Sequence, residues 1–211
     1  MKKRTLLVVT GILFLALTFN GCKKDSTSKD YTPLFKNKVW TGEFHYTGSA
    51  VQPVSIEFKE GGSLTWHELL SDVSGTWKIE NGVLTVSFAG NKGFTSEILG
   101  DNQLTNFQNL AANNFSMDNA MLNETAEVSL DNTVWTGPNI VVTFKPGNLV
   151  DLKLGGSTLY SNLSYSRAGK SIHFNPLTAY RWFVVISSSS EMKGSNMFSP
   201  DPTVYIYSLN K

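Results

Sequence analysis

Downstream of residue 35, apolar and polar residues alternate with period two through nearly the whole chain. Val54, Ile56 and Phe58 share one face of "VSIEF", Trp77 and Ile79 one face of "GTWKI", and Leu84, Val86 and Phe88 one face of "VLTVSF". Successive side chains of a strand point to opposite faces, so this pattern predicts strands buried on one side. Turn residues bound each run. Asn81-Gly82, between two of them, supplies the positive φ angles of a two-residue hairpin turn. "NIVVTF", "LVDLKL", "SIHF", "YRWFVVI" and "TVYIYSL" continue the style in the second half, and no segment offers three turns of helical periodicity. In "LTNFQNLAANNF", Leu104, Phe107, Leu110 and Ala111 are spaced for a short helix, while the asparagines favour a loop or a poor strand.

Only the N-terminus departs from this texture. Lys2, Lys3 and Arg4 precede the apolar run Leu6 to Leu17, which has the length of a signal-peptide core and is too short to span a bilayer. The run ends in "TFNGC", which holds the single cysteine, Cys22. This resembles a relaxed lipobox, with Gly21 before the cysteine, Phe19 where Leu is usual and Asn20 in place of a small residue. The resemblance implies cleavage before Cys22, a diacylglyceryl thioether on its sulfur and a palmitate-type acyl chain on the new amino group. Chains of this kind anchor stably, each buried methylene contributing roughly 0.8 kcal/mol. An ordinary secretory leader is the alternative, and it leaves an unpaired exported thiol. Lys23, Lys24 and Asp25 loosely resemble the charged surface-export signals of some Gram-negative lipoproteins. The expected location is therefore the outer membrane, with surface exposure an option.

A lone cysteine excludes an internal disulfide and a thiolate zinc site. Removal of the leader leaves fifteen Lys and Arg against seventeen Asp and Glu, a net charge of −2, which gives no electrostatic case for nucleic acid.

The chain also echoes itself. "NKVWTG" (Asn37 to Gly42) returns as "NTVWTG" (Asn132 to Gly137), 95 residues later. "SIEFKEGGSL" then answers to "VVTFKPGNLV", "GTWKIENGVLTVSF" to "NLSYSRAGKSIHF", and "GFTSEILGDNQL" to "RWFVVISSSSEM", in the same order. A duplicated module with loop insertions produces such a series. The Trp strand followed by successive hairpins resembles the lipocalin-like modules of bacterial lipoproteins, although Trp40-Thr41-Gly42 and Trp135-Thr136-Gly137 invert the lipocalin Gly-x-Trp order. The expected fold is all-β: two tandem antiparallel lipocalin-like barrels or barrel-like sandwiches after a lipoprotein signal peptide. The boundaries are 1–21 for the leader, 22–34 for an acylated polar tether, 35–130 for the first repeat and 131–211 for the second.

Chemistry is sparse. Trp66-His67-Glu68 lacks a second histidine for a zinc motif, because Ser71 stands at that position. His45, His67 and His173 are scattered and read as half-exposed strand residues. No Gly-x-Ser-x-Gly elbow is present, and nothing pairs any two of Glu57, Glu68, Glu97, Asp151 and Glu191. No enzyme activity, metal or cofactor is expected. Trp40 and Trp135 read as core plugs. The remaining signal is aromatic: Tyr180 with Trp182 and Tyr205 with Tyr207 face one way, while Phe183, Val185, Val204 and Ile206 face the other. A one-sided antiparallel sheet does not carry two apolar faces, so the other repeat, a protein partner or a ligand must cover one of them. Trp66, Trp77, Tyr180, Trp182, Tyr205 and Tyr207 are the candidate ligand-binding residues, for a small apolar ligand or a glycan. An outer-membrane protein partner is the alternative.

Overall fold

A computed structural model describes residues 29–110, 113–198, 201 and 203–211. The leader and Cys22 lie outside these residues. The first barrel is closed by eight antiparallel strands in chain order: β1 (Lys38–Tyr46), β2 (Gln52–Phe58), β3 (Ser63–His67), β4 (Asp72–Glu80), β5 (Val83–Phe88), β6 (Lys92–Leu99), β7 (Gln103–Asn109) and β8 (Phe115–Leu122). The second repeats the arrangement with β9 (Thr133–Gly137), β10 (Ile140–Lys145), β11 (Leu149–Leu154), β12 (Ser157–Ala168), β13 (Ser171–Leu177), β14 (Tyr180–Ile186), β15 (Glu191–Phe198) and β16 (Val204–Asn210). Every pair of echoing segments falls on strands of the same rank. "GTWKIENGVLTVSF" covers the β4–β5 hairpin and "NLSYSRAGKSIHF" the β12–β13 hairpin. Asn81 and Gly82 turn the first of these with φ angles of 52° and 78°, as a two-residue primed turn requires.

The part of the helix-like stretch from Leu104 to Asn109 lies in strand β7, and Ala111 lies outside the described residues. Asn106 sits at φ 52°, the register against β6 slips there, and two β7 residues oppose one on β6. That bulge turns both Leu104 and Phe107 inward, so a three-residue spacing arises within a strand.

Each barrel is plugged at the end where its Trp-Thr-Gly strand begins. Phe35 stacks on Trp40 with ring centroids 4.7 Å apart and planes 3° from parallel, and the Trp40 indole N–H donates to the Leu34 carbonyl at 3.0 Å. Tyr31 and Leu34 pack against the same core. In the second barrel Leu130 stands 95 residues after Phe35, and the Trp135 indole donates to Thr133 Oγ1 at 2.9 Å. Val128 and Leu130 belong to that second core, although they precede residue 131, where the second repeat is expected to begin. Both tryptophans are completely buried. The glycine of the motif serves closure: a Cβ on Gly42 would run into the Asn119 carbonyl of β8, and one on Gly137 into the Ser208 carbonyl of β16.

The barrels lie side by side with like ends together. At the plugged ends Asn123 donates to the Ile186 carbonyl at 2.8 Å. At the other ends Arg181 donates to the Leu70 carbonyl and His173 to the Glu68 carbonyl, each at 2.8 Å. Between them, Leu69 of the first barrel packs on Phe183 and Val185 of the second. The second apolar face of β14 is therefore covered by the other repeat.

Candidate functional site

The unplugged end of the first barrel opens into a pocket of about 170 Å³ lined by Tyr46, Trp66, Glu68, Val73, Phe88, Lys92, Asn114 and Phe115. Tyr46 closes β1, Phe88 ends β5 and Phe115 begins β8, so each points an inward-facing ring at the rim. Trp66 forms the floor, its ring 5.0 Å from Phe44, 5.4 Å from Phe115 and 5.7 Å from Phe88.

Into this aromatic pocket projects one carboxyl group. Glu68 follows β3 and is only 2% exposed. The Tyr46 hydroxyl donates to both its oxygens, at 2.7 and 2.9 Å. Burial raises the Glu68 pKa above its ordinary value, with Tyr46 and the Trp66 indole opposing the rise. Burial, then the neighbouring carboxylate, likewise raises the Tyr46 pKa. None of the ion pairs among the described residues includes Glu68.

His67, its neighbour in sequence, serves a different purpose. It points out of the barrel and is buried against the second one, 2% exposed rather than half-exposed. Its Nδ1 lies 2.8 Å from Asp72 Oδ1 and its Nε2 3.7 Å from Glu57 Oε1. Burial works against the charged ring, but Glu57 and Asp72 outweigh it and raise the His67 pKa, while His67 holds Glu57 low. His67 is thus held between two carboxylates of its own barrel. His173 is half-buried over Glu68, and His45 pairs with Asp118 at 2.9 Å. Among the described residues no three His, Cys, Asp or Glu side chains form a metal-ligand group.

The other sequence-nominated aromatics divide between the barrels. Trp77 lies at the plugged end, 5.8 Å from Phe35, with its indole donating to the Lys59 and Ser63 carbonyls, so it and Trp66 cannot line one site. Tyr180, Trp182, Tyr205 and Tyr207 share the upper half of the second barrel. Trp182 is 1% exposed in a stack with Phe174 and Tyr180, and its centroid is 5.1 Å from that of buried Tyr207. Tyr205 sits at the rim with Leu177 and Phe198, exposed by 54%, 51% and 37%.

A second cavity, about 290 Å³, follows the seam between barrels. Its polar groups are largely committed to one another: Glu43 accepts from Lys193 and from Asn119, each at 2.7 Å, and Asn123 is taken by Ile186. The barrel mouth is the stronger candidate because its polar group is buried without a charged partner. Tyr46, Phe88 and Phe115 carry no site signal in the sequence, where they are aromatics at strand ends. Their positions relative to the mouth depend on strand register, which alternation alone does not reveal.

Comparison of the chain with family models, curated proteins and solved structures finds no match.

Proposed function

We propose that this chain is a lipid-anchored, non-catalytic binding protein of a bacterial outer membrane, similar to the lipocalin-like lipoproteins, whose first barrel takes a small ligand at its mouth. The observation that carries this reading is the asymmetry of that barrel. One end is sealed by Phe35 and Trp40, and the other opens into an aromatic pocket with a single buried polar group. Concave, mostly apolar sites with few placed polar groups are the usual form of small-molecule sites. Among the described residues Glu68 is the one carboxyl in the pocket lining, whereas glycoside cleavage needs two. That supports binding over hydrolysis.

A thermal-shift screen of small ligands against the mature chain tests the pocket. The expected result is at least one stabilising ligand whose effect disappears in Val73→Trp, which fills the mouth from a half-buried strand position. Ligands that stabilise Val73→Trp equally well overturn the assignment to this pocket. Mass spectrometry of protein from native membranes tests the anchor, the expected N-terminus being an acylated Cys22.

A second reading, docking onto an outer-membrane protein, draws on the exposed rim of Leu177, Phe198 and Tyr205. Exposed apolar groups gathered at one place mark interaction surfaces. It predicts a co-purifying partner that is lost in Phe198→Ser.

A further inference from the structure

Resting on the pocket reading above, we infer that the ligand of the first barrel carries an organic ammonium group, seated against the Glu68 carboxylate and the ring faces around it. A carboxylate taken out of water needs a charged partner or several donors. Glu68 is reached by two neutral donors, the Tyr46 hydroxyl and the Trp66 indole, and by no charged one among the described residues. Among the described residues Lys92 is the one basic residue lining the pocket; it is exposed, and no ion pair among those residues includes it. When Glu68 is ionised, its charge is unmatched among the described side chains, and a bound cation supplies what is missing.

The walls point the same way. Trp66 meets Phe88 at 82° and Phe115 at 52°, and Phe44 meets Tyr46 at 78°, so ring faces are turned in several directions around the space. Ring faces carry negative electrostatic potential and attract alkylammonium groups. An anionic ligand would meet both Glu68 and those faces, and a neutral one would leave the carboxylate unmatched. About 170 Å³ equals the liquid volume of roughly five or six waters, which suits a short alkylammonium and excludes a folded peptide.

The test is isothermal titration of the full mature chain with n-pentylammonium and tetramethylammonium, against pentan-1-ol as the neutral analogue. The expected result is binding of the ammonium probes, weakened at least tenfold in Glu68→Gln, with pentan-1-ol unaffected by that change. Phe88→Leu keeps apolar volume at the rim and removes a ring face, so it is expected to weaken the ammonium probes about two- to fivefold and to leave pentan-1-ol alone. Pentan-1-ol binding as tightly as n-pentylammonium, or both ammonium probes indifferent to both substitutions, overturns the ammonium inference while the pocket stands. If no probe binds at millimolar concentration and Val73→Trp also fails to abolish any ligand found by screening, pocket and ammonium group fall together.

Discussion

The two barrels share strand number, strand order, a buried tryptophan at the same register and a glycine that lets the closing strand approach, yet they fill their upper halves differently. In the first, β4 alternates exposed and half-buried residues without a break, and the space above Trp66 remains a pocket. In the second, Trp182, Phe174 and Tyr207 occupy the corresponding level, and β14 is buried on both faces because its outer side forms the joint. A closed eight-stranded meander fixes how many side chains point inward and leaves their sizes free. One copy thus retains a mouth while the other supplies bulk and a flank to lean on.

That division can be broken at the joint most severely. Phe183 is fully buried between barrels, so Phe183→Ala is expected to lose about 3–5 kcal/mol. Calorimetry should then resolve two transitions where one is expected for the native chain, and a single transition at reduced temperature would mean that the barrels do not unfold as separable units. Gly42→Ala and Gly137→Ala each force a methyl group against a neighbouring carbonyl. About 1–3 kcal/mol is expected from each, read as similar drops in Tm; unequal drops would show that the two closures are not equivalent.

The third prediction concerns pH. The folded pKa of Glu68 is raised, so its favourable contribution belongs to the protonated form, present at low pH and lost as pH rises through that folded value. Glu68→Gln should therefore raise Tm at pH 8 and leave it unchanged at pH 4. His67 is also raised, and its hold on Glu57 weakens as pH climbs through its folded pKa, so a comparison with His67→Gln separates the two titrations. The smallest effect is expected from Lys193→Met, which removes the half-exposed pair with Glu43. It should cost under about 1 kcal/mol by urea denaturation.

Alternation and turn chemistry made the fold legible. Asn81-Gly82, the repeated Trp-Thr-Gly and the order of echoing hairpins led to two tandem antiparallel β units, barrels or barrel-like sandwiches, and the structure closes each as an eight-stranded barrel. The exception, β7, misled because a bulge at Asn106 converts strand spacing into a helix-like one. The site was less legible for two reasons. Trp66 and Trp77 look equivalent along the chain, but the register of β3 and β4 sends them to opposite ends. The Glu68 carboxyl owes its character to Tyr46, 22 residues away, and to a strand end that folds it back over the mouth, neither of which has a local signature.

The chain enters the first barrel through its sealed base: Tyr31 and Leu34 pack there, and Lys29 pairs with Asp101 in the turn between β6 and β7 at the same end. With fatty chains on Cys22, nine residues before Tyr31, that base would stay within about 30 Å of the lipid, and the opening would look outward into the aqueous space. On that proposed anchor, whatever enters would arrive dissolved in water rather than slip sideways from the bilayer, a route that favours small charged solutes over fats.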